Sequence, residues 1–297
     1  MSVVGRIRET LENEELRITL KILRSSPMTM FGLIISVLFT VTALATWLSG
    51  NRILPYNPYT LTTQLLSPPS IKHLLGTDAL GRDVLSRVIA ATPIDAVVCF
   101  SVVAIALTLG LLTGVLAGYV GGWVEEVIMR VTDIFLAFPG LVLALAISAA
   151  LGPGLLHSIY ALAPVWWPTY TRLARGETLT IKSQQFIEAA RAVGQKRLST
   201  IFAHIIPNVL PIMLVYSTID LGNVLIVFSV LSFVGLGAQP PTPEWGLMVV
   251  QGEQYLSSAP WIPLAPAIAI LIVAVGFSLL GDGLRDALDP RIRGSFG

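Results

Sequence analysis

The stretch AVVCFSVVAIALTLGLLTGVLAGYV, residues 96–120, contains 25 residues and no charged side chain. A helix of about 20 apolar residues is long enough to cross the hydrocarbon core of a bilayer. Three further runs have the same character, because 28–48 and 261–281 carry no charge and 209–237 carries only Asp220. The sequence therefore predicts an all-α, polytopic membrane protein.

The composition favours the same class. Of the 297 residues, 54% are hydrophobic and 12% are charged, and the mean hydropathy is +0.76. A typical soluble domain has about 25% charged residues, so this chain could not cover its own surface in water, and a water-soluble enzyme is excluded. The net charge of +1 gives no indication of nucleic-acid binding. One cysteine, Cys99, and three scattered histidines predict neither a disulfide framework nor a metal site.

Two further apolar segments, 134–156 and 155–171, bring the predicted number of transmembrane helices to six. The first contains Pro139, where we predict a kink, and the second is short and contains two prolines. The predicted organisation is a cytoplasmic tail or interfacial helix at 1–27, a first span at 28–48, an outer loop at 49–95, a membrane core at 96–281 that includes a cytoplasmic loop at 172–208, and a cytoplasmic tail at 282–297.

The distribution of Lys and Arg predicts the orientation. Fourteen of these residues lie in the two tails and the 172–208 loop, whereas four lie in the first outer loop. Because cytoplasmic segments carry the excess of positive charge, we expect both termini in the cytoplasm. The spacing also predicts two local ion pairs, Asp83 with Arg87 and Arg130 with Asp133.

The loop SQQFIEAARAVGQKRLSTIFAHIIP, residues 183–207, contains two short apolar stripes at helical spacing. Gly194 separates them and predicts a left-handed turn. The stripes consist of Phe186, Ala189, Ala190 and Val193, and of Leu198, Ile201, Phe202 and Ile205. Helices this short are marginal in water, so they need a surface to pack on, either the protein's own spans or a partner.

Asp220 is the most informative residue outside this loop. A carboxylate near the middle of a span is costly unless it faces protein or water, and such residues are functional by default. Two interpretations remain open, a group on a solute pathway that meets a cationic or hydroxyl-rich solute and a buried polar link to a partner. The candidate pathway residues are Ser217, Asp220, Asn223 and Ser229.

The segment EAARAVG followed by HIIPN resembles the EAA loop of permeases from ATP-binding-cassette (ABC) importers. The matching positions are Glu188, Ala189, Ala190, Gly194, Ile205 and Pro207. Segments 73–89, 117–133, 231–246 and 279–291 are similar to the second permease subunit of dipeptide and oligopeptide importers. The chain departs from that family at Ala91-Thr92-Pro93, where Gly-Ala-Arg is usual, at 227–230 and at Asp220.

The resemblance implies the fold of a type I ABC-importer permease in a prokaryotic cell membrane. It also implies a second homologous permease, two cytoplasmic ATPases and an extracellular or periplasmic binding protein as partners. ATP and Mg²⁺ would bind the ATPases, so this chain is expected to be no enzyme and to hold no cofactor or metal. Peptides are the implied substrate. Oligosaccharides or another small solute are the alternative substrates. A secondary transporter is the alternative from a different functional class. The implied ATPase-coupling residues are Phe186, Glu188, Ala189, Ala190, Arg191, Val193 and Gly194.

Overall fold

The computed structural model describes residues 23–50 and 52–288. Its helices are α1 (Pro27–Ser49), α2 (Val84–Val120), α3 (Gly122–Leu136), α4 (Gly140–Leu151), α5 (Leu155–Lys182), α6 (Gln185–Ala192), α7 (Arg197–Thr200), α8 (Ile206–Phe233), α9 (Trp245–Glu253) and α10 (Trp261–Leu288). The described residues form no strand, so the all-α prediction is confirmed. Residues 1–22 of the predicted N-terminal tail and 289–297 of the C-terminal tail lie outside the described part.

Four helical segments are long and apolar enough to cross a membrane. They are α1, α2, α10 and the continuous segment Arg197–Phe233, in which a π-helical turn at Ile201–Ile205 joins α7 to α8. The pair α3 and α4 makes a fifth if it counts as one span. Helix α5 does not qualify, because prolines and charged residues lower its hydropathy. Within the described residues, length and composition therefore give four or five spans and do not confirm the predicted six.

The predicted kink at Pro139 is a sharp break. Helix α3 ends at Leu136, α4 begins at Gly140, and the two helices differ in direction by 87°. Pro139 has an extended ψ of 124° and provides no backbone N–H for a continuing helix. The predicted span 134–156 is therefore not one straight helix.

Helix α2 begins at Val84, inside the predicted outer loop, and so extends well beyond the 96–120 run. Asp83 caps it by accepting a hydrogen bond from the Ser86 backbone N–H at 2.8 Å. The same carboxylate pairs with the His73 ring at 2.8 Å. Arg87 instead approaches Asp78, at 3.8 Å. The predicted Asp83–Arg87 pair is therefore wrong, because capping directs the aspartate away from the helix surface.

The predicted pair between Arg130 and Asp133 is also wrong. Arg130 lies 3.7 Å from Glu126 on the preceding turn of α3. Asp133 accepts a hydrogen bond of 2.6 Å from Arg172 of α5. Asp133 therefore pairs with Arg172 instead of Arg130, and this ion pair joins α3 to α5.

A stripe of three glycines on α2 lies against α5. Gly110, Gly114 and Gly118 repeat every four residues and face one side of the helix. A Cβ atom on Gly118 would lie 2.9 Å from the Arg175 carbonyl oxygen, and Cβ atoms on the other two would overlap α5 more closely. Beside the stripe, the hydroxyls of Thr113 and Thr171 are 2.8 Å apart and hydrogen-bonded. The two helices therefore pack backbone to backbone, the contact that small residues allow in membranes.

Close packing through glycine also joins the remaining spans. A Cβ atom on Gly32 of α1 would lie 2.6 Å from the Leu280 nitrogen of α10, and one on Gly222 of α8 would lie 2.7 Å from the Ala274 carbonyl of α10. Phe39 of α1 stacks edge-on against Phe277 of α10, with ring centroids 5.8 Å apart. The first and last spans and α8 therefore form a second packed unit beside α2 and α5.

The glycine stripe predicts that Gly114→Ala destabilises the protein. The added methyl overlaps the Thr171 carbonyl and Ala174, and such overpacking costs about 1–3 kcal/mol. The matched control is Gly176→Ala on α5, where a Cβ meets nothing within 4 Å and gains about 0.5–1 kcal/mol from helix propensity. Thermal unfolding of the detergent-solubilised protein measures both changes. Equal midpoints for the two variants would contradict the close packing of α2 on α5.

Candidate functional site

The loop between α5 and α8 has the predicted helix–glycine–helix form. Helix α6 ends in a left-handed turn in which Gly194 has a φ of +80°. The Gln195 N–H donates to the Ala190 carbonyl at 3.1 Å, and the Gly194 N–H donates to the Arg191 carbonyl at 3.0 Å. This pair of hydrogen bonds is the Schellman motif, and it requires a residue that tolerates positive φ. The left-handed turn predicted at Gly194 is confirmed, and its role in ATPase coupling stays a prediction.

The inner side of this loop packs on the protein's own helices. Ile187 and Ile205 are fully buried and join an apolar cluster with Met213 of α8 and Tyr170 of α5. Ala190 is also buried. The structure thus divides both predicted stripes. Each stripe contains both buried and exposed residues, because only one side of the loop packs on the helix ends.

The outer side leaves an apolar surface uncovered. Phe186, Val193, Leu198 and Phe202 are 46%, 83%, 70% and 63% exposed. We call these four residues, with the exposed Ala189, the loop surface. Glu188 and Arg191, also exposed, lie beside it on α6. Exposed apolar residues grouped in this way, next to charges, are typical of a protein interaction site. Of the seven predicted coupling residues, only Ala190 faces inward.

Two cationic side chains hold the loop to the end of α2 through contacts that the sequence did not predict. The Lys182 ammonium donates to the Tyr119 carbonyl at 2.7 Å and to the Gly118 carbonyl at 3.3 Å. The Arg191 guanidinium lies 5.7 Å from the centre of the Tyr119 ring, within the range of a cation–π interaction. A lysine is a common partner for the free carbonyls at a helix C-terminus. A lysine such as Lys182 could therefore be expected to cap a helix. The sequence does not show which helix, because α2 is distant along the chain.

The mid-span carboxylate of Asp220 lies on α8 and faces α5. It accepts a hydrogen bond of 3.3 Å from the Asn223 amide one turn further along. The Tyr170 and Trp166 side chains of α5 lie near the same group. The Ser217 hydroxyl donates instead to the carbonyl of Leu214 within its own helix, at 2.7 Å. Asp220 and Ser217 are partly exposed and Asn223 is exposed, so this polar face remains open on one side.

Ser229 does not share this face. It lies nine residues after Asp220, which places it on the opposite side of an α-helix, and only 7% of it is exposed. Its hydroxyl donates to the Leu225 carbonyl at 2.8 Å, and its backbone contacts Gly246 of α9. The structure therefore does not support the prediction that Ser229 lines a pathway with the other three residues.

The sequence of this chain matches a family of known membrane proteins. Residues 110–294 match the family model described as binding-protein-dependent transport system inner membrane component. The chain is 40% identical over 274 residues to the dipeptide transport system permease protein DppC of Alkalihalophilus pseudofirmus, covering 92% of this chain and 89% of the relative.

Two relatives from Escherichia coli show a similar degree of identity. The probable D,D-dipeptide transport system permease protein DdpC of strain K12 is 42% identical over 273 residues, 92% of this chain and 90% of the relative. The glutathione transport system permease protein GsiD of strain 536 is 41% identical over 263 residues, 89% of this chain and 86% of the relative.

Among solved structures, a chain of the MetNI methionine ABC transporter in inward-facing conformations has a similar fold. The TM-score is 0.53 at 19% identity, and the alignment covers 71% of this chain and 96% of the other. At this identity the likeness concerns the fold alone, and it agrees with the ABC-importer permease fold predicted from the sequence.

Proposed function

We propose that this chain, which belongs to the family of binding-protein-dependent transport system inner membrane components, forms half of a translocation path for peptides. As a multi-pass permease subunit of an ABC importer, it is a transport subunit and not an enzyme. The choice of peptides as the substrate rests on one observation. Relatives that match about nine-tenths of the chain are named for dipeptide, D,D-dipeptide or glutathione transport, and all of these solutes are peptides.

Permeases of this family work with a further permease, with ATPases and with a binding protein. For this chain we propose a heterodimer with one homologous permease, two cytoplasmic ABC ATPases, and a binding protein that delivers the peptide from outside. ATP and Mg²⁺ bind the ATPases in this arrangement. The sequence supports it, since it contains no phosphate-binding loop pattern.

The loop surface is the docking site that we propose for one ATPase. Its apolar side chains need a partner, and Glu188 and Arg191 beside it can orient that partner through charge. Ile187 on the inner side packs into the same cluster as Tyr170 of α5. Movement of a docked ATPase would therefore displace α6 together with α5, which carries the residues that face Asp220. Alternating access requires two such arrangements with different affinity for nucleotide.

This role places the loop surface in the cytoplasm, together with both termini. The charge distribution supports that orientation, because fourteen Lys and Arg residues lie in the tails and the 172–208 loop. The segment that contains α9 then lies outside the membrane on the opposite side, and it contains no Lys or Arg between 238 and 260.

The polar face formed by Ser217, Asp220 and Asn223 is our proposed part of the translocation path. A carboxylate at this depth must face protein or water, and α5 covers only one side of it. A charged wall suits a solute with a free ammonium group, as peptides have. In the other interpretation, the same exposed side forms a polar link to the second permease. An experiment on Asp220, described below, distinguishes the two roles.

Reconstitution tests the substrate assignment. Proteoliposomes that contain this permease with its partner permease and ATPases should accumulate a labelled dipeptide when ATP is inside and the binding protein outside. Liposomes loaded with a non-hydrolysable ATP analogue are the control and should accumulate none. Excess unlabelled dipeptide should compete, and an oligosaccharide should not. Accumulation of the oligosaccharide with no accumulation of peptide would overturn the peptide assignment.

Coupling is tested by Gly194→Val and Glu188→Lys. A β-branched residue at a φ of +80° costs about 1–2 kcal/mol, enough to reduce the docked form of α6 about tenfold. We expect uptake to fall by about that factor in Gly194→Val, and to fall in Glu188→Lys through reversed charge, while both proteins insert normally.

The matched control is Gly152→Val at the opposite end of α5. Gly152 has a φ of +85°, and like Gly194 it has open space around its Cβ position. The backbone strain in Gly152→Val is at least as large, because Gly152 has a ψ of 171° in a region nearly restricted to glycine, but this strain lies far from the loop surface. Uptake per assembled complex should stay near wild type in Gly152→Val. Wild-type uptake and normal ATPase association in both loop variants would contradict the coupling assignment.

Asp220→Asn separates the two interpretations of the polar face. The change keeps the size of the side chain and removes its charge, so a pathway group should lose uptake of peptides with a free ammonium group while the yield of the complex stays constant. A lower yield or midpoint with unchanged uptake per complex would instead assign a structural link. Glu253→Gln, the same chemical change at an exposed position, is the control. If Asp220→Asn alters neither quantity, both interpretations fail.

A further inference from the structure

Two carboxyl groups that the proposed function does not use are buried together where α9 meets α2. Asp95 lies on α2 and Glu244 immediately precedes α9, and both are 0% exposed. The two side chains are in hydrogen-bonding contact. In the described part of the chain, neither forms an ion pair with Lys, Arg or His. Two adjacent ionised carboxylates without a cation could not remain buried.

Glu244 has the environment of an ionised carboxylate. One of its oxygens accepts the Gly246 N–H at 2.8 Å and the other accepts the Leu247 N–H at 2.7 Å. These are the free N–H groups at the start of α9, where the helix dipole favours a negative charge. Both oxygens are thus already held as acceptors. Glu244 is therefore the partner that keeps its charge.

Asp95 has the opposite environment. Neither of its oxygens accepts a hydrogen bond of standard geometry from the described residues, and the donor group near it is the Trp245 backbone N–H. Cys99, one turn further along α2, is buried next to it. Arg87, two turns earlier, is occupied by Asp78 and by the Pro58 carbonyl. An ionised carboxylate with no donor is the costliest arrangement for this group, whereas a protonated one needs only an acceptor.

The other elements around the pair contribute no compensating charge. Helix α8 supplies the Ser232 hydroxyl, which interacts with Glu244. The surrounding core is apolar and includes Phe39 of α1 and Phe277 of α10. Trp245 covers the site from α9, and its indole N–H donates to the Val88 carbonyl of α2 at 2.9 Å. Within the described residues these groups leave both carboxyls with no exposed surface.

We infer that Asp95 and Glu244 form a proton-binding site that holds one proton, with the Asp95 O–H donating to the Glu244 carboxylate. The proton is taken from solvent when the site closes, and the pair then carries one negative charge instead of two. A hydrogen bond between an acid and a carboxylate is among the stronger ones in proteins. The bond joins α9 to α2 beside the hydrogen bond from the Trp245 indole to the Val88 carbonyl.

The site makes the contact between α9 and α2 sensitive to pH. The unfolded chain ionises both carboxyls at neutral pH, so the folded chain binds one more proton than the unfolded chain does. Its folding constant therefore falls tenfold for each unit of pH from this site alone, until the folded site itself loses the proton. Asp95→Asn keeps a donor to Glu244, as an amide N–H, and removes the dependence.

Infrared spectroscopy of the full importer in lipid nanodiscs detects the proton directly. A protonated buried carboxyl gives a carbonyl band separate from that of a carboxylate, and this band shifts in D₂O. We expect the band in the wild type at neutral pH and in the Glu253→Gln control, and its loss in Asp95→Asn. Absence of any such band in the wild type, or an unchanged band in Asp95→Asn, would overturn the inference.

Glu244→Gln tests the same claim if Asp95→Asn does not assemble. The change removes the negative charge beside Asp95, which stays buried without a cation, so Asp95 should keep its proton and its carbonyl band should shift as the acceptor changes from a carboxylate to an amide. A band at the wild-type frequency would contradict the bond to Glu244. Thermal midpoints between pH 6 and pH 9 provide the second measurement, and the wild type should lose stability with rising pH more steeply than Asp95→Asn. A stabilisation by Na⁺ over choline that Asp95→Asn removes would assign the site to a metal cation and overturn the proton.

Discussion

The backbone contact between α2 and α5 positions the rest of the described structure. Inside a bilayer the hydrophobic effect does not bring helices together, so packing and hydrogen bonds must do so. Gly110, Gly114 and Gly118 present no side chain of α2 to α5 at this contact, and the Thr113–Thr171 hydrogen bond lies beside it. Arg175 of α5 adds a hydrogen bond of 2.6 Å to Glu125 of α3. Helices α2, α3 and α5 thus form one unit.

That unit ends at the loop surface. The close approach of α2 and α5 brings the Tyr119 and Gly118 carbonyls within reach of Lys182, and α6 begins three residues later. The inner side of the loop, with Ile187 and Ile205, closes over the same helix ends. A force applied to α6 therefore reaches α5 through packed side chains and a capped helix end. In the proposed function this is the path by which ATP binding at the ATPase changes access to the polar face around Asp220.

Sequence reasoning predicted the features that depend on local pattern. Uncharged runs gave the main spans, and Gly194 gave the turn, because hydropathy and glycine conformation act over a few residues. It did not predict the 87° change of direction at Pro139, since a proline indicates a break but not the angle. The two predicted ion pairs were wrong because Asp83 caps its helix and pairs with His73, and because Asp133 pairs with Arg172 of another helix. The sequence did not show that Ser229 faces away from Asp220, because polarity in a span does not indicate which way a side chain faces.

The Asp95–Glu244 pair shows a further limit of sequence reasoning. Asp95 stands one residue before the uncharged run and Glu244 stands 149 positions later, so nothing local relates them. Only the docking of α9 on α2 makes them neighbours.

Site-specific cross-linking tests the central claim, that the loop surface is where an ATPase docks. Cys99 is the only cysteine, so a Cys99→Ala background allows single cysteines to be placed on α6. Ala189 is exposed and the adjacent Ala190 is buried, which makes Ala189→Cys and Ala190→Cys a matched pair. We expect that in the assembled importer a short bifunctional reagent joins Ala189→Cys to an ATPase subunit and leaves Ala190→Cys unlinked. An intact complex in which Ala189→Cys forms no product with the ATPase would contradict it.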